Sequence, residues 1–198
     1  MKSALAVVSE NVALALACML GVACSSSSSP PSGADASVGT PKVTCNQLMP
    51  ADIQGLMTAT VAGDDVSVVG TDGDGQQCVF HDADNSGQAI DIIVVPSSDP
   101  IAGYDAAKTS ATNPVAVNGV GDQAFRETGD FQPTAEHGAL TCAVSVGEAI
   151  QIPGVDALVV NGTLDLTEAQ DDILATALGT VCNRLFGTGN TTPDLSGL

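Results

Sequence analysis

"TEAQDDILATALGTVCNRL", residues 167–185, decides the architecture. Ile173, Leu174, Ala177, Leu178, Val181, Cys182 and Leu185 recur at the three- and four-residue spacing of one helical stripe. Thr167 and Gln170 stand in the order of a capping box at its start. A helix with such a stripe needs a surface to cover. "ALTCAVSV", residues 139–146, offers one: as a strand it puts Leu140, Cys142, Val144 and Val146 on one face. Both segments carry a cysteine on the apolar side, as a helix packed on a sheet requires.

Working outward, "PADIQGLMTATV" (50–61) predicts a second helix, with Pro50 in its first turn and Ile53, Leu56, Met57 and Val61 inward. Strands are expected near 66–69, 77–82, 89–95, 123–128, 138–147 and 149–153. A middle helix is expected over 100–111, with Ile101, Tyr104 and Ala107 inward. Short polar turns such as "GTDGDG" (70–75) imply antiparallel neighbours. The fold class is therefore α+β: one antiparallel sheet of about five to six strands, packed with N-terminal, middle and C-terminal helices. "GTGNTTPDLSGL" (187–198) trails off without an apolar face, so residues 188–198 are expected to be a flexible tail, and the folded domain to span 44–187.

The N-terminal region has another character. After Lys2 comes "ALALACMLGVAC" (13–24), then "SSSSSPPSG" (25–33). The apolar run is about 13 residues, against roughly 20 for a transmembrane helix, which suits a signal-peptide core. "LGVAC" resembles the lipobox of bacterial lipoproteins, with Gly21 where an aliphatic residue is usual. The resemblance implies a lipoprotein signal peptide over 1–23 and lipidation of Cys24. Cys18 is a second candidate, and cleavage without lipidation is the alternative. A lipid anchor holds through about 0.8 kcal/mol per buried CH₂. Residues 24–43, rich in Ser, Pro and Gly, read as a disordered tether.

Removing residues 1–23 takes one basic and one acidic side chain and leaves four and 22, a net charge of −18. Such a surface repels phosphate backbones, so nucleic acid is not an expected partner. It also resists anionic headgroups, so membrane attachment would come from the lipid alone. The remaining Cys45, Cys78, Cys142 and Cys182 form an even set in a chain read as exported, which points to disulfides. The preferred pairs are Cys45–Cys78 and Cys142–Cys182, each closing a loop of about 30–40 residues. Cys45–Cys182 is the alternative. A zinc site would be the other use of these thiols, but there is no CxxC, and His81 and His137 show no ligand spacing.

Three stretches invite a chemical reading. "FHDADNSGQAIDI" (80–92) puts Asp82, Asp84, Ser86 and Gly87 where a calcium loop begins, but Ile93 occupies the position of its bidentate Glu. An EF-hand is rejected. A hairpin turn is the favoured reading, beside a looser cage of Asp82 and Asp84 with Asp72 and Asp74, should the two turns adjoin. "GVGDQA" (119–124) matches a dinucleotide fingerprint but leads into "FRETGDFQP", which has no helical stripe, so it reads as a glycine turn. His81 lies close in sequence to Asp82 and Asp84, but no nucleophile pattern accompanies it, and no catalytic residue or cofactor is nominated.

The succession "CNQLMPADIQGLM", "CVF", "IDIIVV", "YDAAK" and "VNGVGDQAF" resembles a family of small bacterial, actinobacterial-type lipoproteins of unknown function. Their domains are similar to the extracellular sensor domain of PknH-type kinases. The resemblance covers about residues 44–187 and implies an antiparallel α+β domain with a possible cleft and no established catalytic residues. The expectation is a lipid-anchored, non-enzymatic envelope domain that binds a small molecule or a protein, as a sensor or accessory. It would face outward from the cytoplasmic membrane, or sit on the outer membrane of a Gram-negative host. A secreted hydrolase or transferase with an unfamiliar site, and a passive structural lipoprotein, are the alternatives.

Overall fold

A computed structural model describes residues 44–84, 89–147, 150–155, 158–159 and 166–198. The segment 1–43, with Cys24 and the tether, lies outside the described residues, as do Ser86 and Gly87. The chain is α+β. Seven antiparallel strands form one sheet, and two more form a small ladder. The strands are β1 (Val61–Val69), β2 (Gly75–Asp82), β3 (Ala89–Pro96), β4 (Pro114–Ala116), β5 (Gln123–Glu127), β6 (Thr134–His137) and β7 (Leu140–Val146), with β8 (Ile150–Gln151) and β9 (Leu158–Val159) as the ladder. The sheet order is β1-β2-β3-β7-β6-β5-β4. The helices are α1 (Pro50–Ile53), α2 (Tyr104–Ser110) and α3 (Glu168–Phe186).

α3 forms where its stripe predicts. The hydroxyl of Thr167 accepts from the N–H of Gln170 and the Gln170 side chain accepts from the N–H of Thr167. Gly187 ends the helix at φ 71°, in the left-handed region that glycine tolerates. The stripe lies on Cys142, Val144 and Val146 of β7, and Cys142–Cys182 joins the two with Cα atoms 5.7 Å apart. Cys45–Cys78, at 5.9 Å, fixes the start of the domain to β2. Both preferred pairings are therefore present. The register aligns Cys78, Ile92 and Val144, so both disulfides share one face of the sheet. Nearly all the buried apolar residues form one core on that face, including Phe80, Ile90, Ile92, Leu174 and Leu178.

Some elements differ from expectation. The first helix is one turn followed by a 3₁₀ turn over Gln54–Leu56, because Gly55 and the β-branched run after it favour extension. Ile53, Leu56, Met57 and Val61 are nevertheless all buried. Ile101 was expected inward but is 75% exposed, because α2 starts only at Tyr104 and the helical phase does not reach it. β4, β6 and β9 were not anticipated. The tail has no helix or strand, yet Leu195 and Leu198 pack on the core and the Asn190 carbonyl accepts from Asn183.

Candidate functional site

The two faces of the sheet are covered unequally. On the side opposite α3, α2 packs on β6, and its Tyr104 stacks edge-on against Phe125 of β5 with ring centroids 5.4 Å apart. Val95, Tyr104 and Phe125 are buried there but stand outside the main core. Beside α2 the sheet opens into a cleft of about 340 Å³, at the lower end of the range for small-molecule sites. Its floor is Phe125, Thr134, Ala143 and Ser145 from β5, β6 and β7. Register explains why they meet: Phe125 pairs with Thr134, and Thr134 with Ala143, so all project from one face.

One wall is α2 and the loop before it, through Ile101, Ala107 and Ser110. Asp99 fixes this wall: its carboxylate accepts from the backbone N–H groups of Thr71 (2.7 Å), Ala102 (2.8 Å) and Ile101 (2.9 Å). These bonds favour the charged form and hold its pKa at about 2, below the ordinary 3.8. The buried Thr141 hydroxyl accepts from the Tyr104 N–H at 2.9 Å. Gly103 is compulsory, since any Cβ would strike the carbonyls of Ser97 and Asp99.

The opposite wall is Glu127, Asp130, Gln132 and Pro133. Phe131, fully buried, pegs this loop into the core, and the Gln132 side chain accepts from the Val146 N–H at 3.1 Å. Beneath it lies Arg126, 1% exposed. Its Nη1 donates to the carbonyls of Glu127 (3.0 Å) and Asp130 (3.2 Å). Its Nε and Nη2 reach Asp172 at 2.8 and 2.7 Å, and Nη2 reaches Glu168 at 2.8 Å. Asp171 is 4.0 Å away. Burial opposes the guanidinium charge, but bonds to Glu168 and Asp172 outweigh it and raise its pKa. Burial raises Asp171 above the ordinary carboxylate range, with Arg126 only partly pulling it back. Arg126 was not singled out in the sequence, although it alternates with Phe125 along β5 and faces the acidic first turn of α3.

The residues that were singled out lie elsewhere. Asp72 and Asp74 belong to the turn before β2, whereas Asp82 ends that strand and Asp84 follows it. An eight-residue strand separates them, about 23 Å at about 3.3 Å per residue, so the cage of four aspartates does not form. The Asp82 carboxylate instead accepts from the Asp84 N–H at 3.0 Å, an Asx turn. Gly119 and Gly121 sit at φ 78° and 55° in the turn between β4 and β5, and Asn183 of α3 grips that turn through the Gly119 carbonyl and the Gly121 N–H. His81 lies on β2, outside the cleft lining. His137 bonds Asp122 at 3.0 Å and stacks on Phe186, also outside it. No family model, curated protein or solved structure matches the chain.

Proposed function

We propose that this chain is an exported lipoprotein, anchored through Cys24 at the cell envelope, whose domain binds a ligand in the cleft between α2 and the 127–133 loop without catalysing a reaction. The observation that carries this reading is the asymmetry of the sheet. One face is sealed by α3 and the core. The other presents a cleft whose two walls are independently pinned, by Asp99 and by Arg126 with Phe131. Walls held before a ligand arrives reduce the ordering cost of binding. The two disulfides suit an oxidising compartment. The lining offers hydroxyls, an amide and carboxylates as polar partners for a ligand.

The test has two parts. Mass spectrometry of the membrane-extracted protein should find its N-terminus at Cys24 with a diacylglyceryl mass, and Cys24→Ala should move the protein to the soluble fraction. An unmodified N-terminus at another residue would overturn the anchor. A small-molecule screen read by backbone NMR should perturb the cleft residues together, and hits confined to other surfaces would overturn the site.

A further inference from the structure

We infer that the cleft selects small organic cations: an amine or guanidine head on a short apolar or aromatic body. This rests on the reading of the domain as a binding module and names the ligand chemistry of that site. The apolar part of the lining includes Phe125, Ala143, Ala107, Pro133 and Ile101, and Ile101 is exposed where a ligand body would cover it. Of the chain's five aromatic side chains, Phe125 lines the cleft, with Tyr104 packed edge-on behind it and outside the lining. An aromatic ring is the surface that apolar bodies and cations both favour.

The charge at the cleft has one sign. Glu127 and Asp130 line it, and no Lys or Arg does. Arg126 lies beneath the wall, its guanidinium bonded to three backbone carbonyls and its charge matched by the carboxylates of Glu168 and Asp172. The Lys108 ammonium sits 5.4 Å from the centre of the Tyr104 ring, on a side chain outside the lining. Asp91 extends the acidic side. It pairs in register with Ser145, a floor residue, so the two side chains stand next to each other on the open face. Its burial raises its pKa, with only the Gln77 side chain relieving it. A cation lodged over Ser145 would meet Asp91 as well. The overall charge of −18 adds attraction at long range.

The experiment uses three probes of nearly one shape: 2-phenylethylamine (cation), 2-phenylethanol (neutral) and 3-phenylpropionate (anion). They are titrated into the exported protein carrying Cys24→Ala, at low and at 150 mM salt, followed by NMR. The expected result is millimolar binding of the amine, at least tenfold tighter than the alcohol at low salt, no binding of the anion, and shifts at Phe125, Ala143 and Ser145. Glu127→Gln and Asp130→Asn keep the shape of each side chain, and the amide oxygen of the second can still accept from the Gln132 N–H, a bond that Asp130 makes at 3.0 Å; each should weaken the amine several-fold in a protein that still melts cooperatively. The preference should shrink with salt. Equal binding of the alcohol or the anion in the cleft would overturn cation selection and leave the binding module standing. Amine shifts unaffected by both variants would overturn the assigned carboxylates. Silence of the cleft towards all three probes, while unrelated screening hits shift it, would overturn the ligand class alone. Silence towards every compound would overturn the binding module itself.

Discussion

Replacing Arg126 by Met tests how the cleft wall is held. The guanidinium is fully enclosed and bonded to Glu168, Asp172 and the carbonyls of Glu127, Asp130 and Glu168. Glu168 and Asp172 are more than half exposed and can turn to water, but Asp171 and the wall carbonyls lose a buried donor, which costs about 2–3 kcal/mol. For a domain of this size that lowers Tm by roughly 4–12 °C. The pH dependence identifies the cause. Asp171 has a folded pKa raised above the ordinary 3.8, so its ionised form disfavours the folded state. That penalty is relieved as pH falls through the folded value. Without Arg126 the carboxyl rises further, so the penalty at pH 7 grows and is relieved sooner on acidification. Urea denaturation from pH 7 to pH 4 should show the gap between wild type and variant narrowing. Adding Asp171→Leu to the variant should recover part of the loss at pH 7. A loss below about 1 kcal/mol at pH 7, or a gap indifferent to pH, would refute the reasoning.

Asp99 makes the opposite pH prediction. Its folded pKa of about 2 lies below the ordinary 3.8, so its stabilisation is complete above about pH 4 and fades as pH falls towards 2. At neutral pH, Asp99→Asn should cost about 1 kcal/mol after discounting for solvent screening, and the difference in urea midpoint should shrink steadily as pH falls through about 2. Peptide mapping without reduction should recover only Cys45–Cys78 and Cys142–Cys182. Removing either pair by Ala substitution should cost about 3–4 kcal/mol for loops separated by 33 and 40 residues. Gly121→Ala should destabilise strongly, because its φ is 55° and a Cβ would press on the Glu136 carbonyl. Loss of the native circular dichroism melt would register it.

The parts of the fold legible in the sequence are those written locally. The stripe of α3, the alternation of β7 and the capping box each sit in a continuous window, and the two cysteine faces follow from them. β6 escaped because "TAEH" is four residues with one buried side chain, Ala135, and its partners lie across the sheet. Ile101 misled because the helical phase was begun at residue 100, where the Asp99 carboxylate and the missing Cβ of Gly103 build a loop that delays the helix to Tyr104. The aspartate turns drew attention by composition, but the strand between them is long and their own backbone bonds account for Asp82. The cleft was invisible for another reason. Phe125, Thr134, Ala143 and Ser145 are neighbours only through strand register, and Arg126 meets its acids only because α3 returns across β5. The legible clue was the gathering of three acids, Glu168, Asp171 and Asp172, at the start of α3, in a chain with only four basic residues after Cys24.

The most direct test of the central claim is a small-fragment screen read by backbone amide spectra of the exported Cys24→Ala protein. If the open face of the sheet is the binding face, the shifted resonances will cluster on Phe125, Thr134, Ala143, Ser145 and α2. Hits that cluster elsewhere, or leave those residues unmoved, would contradict it.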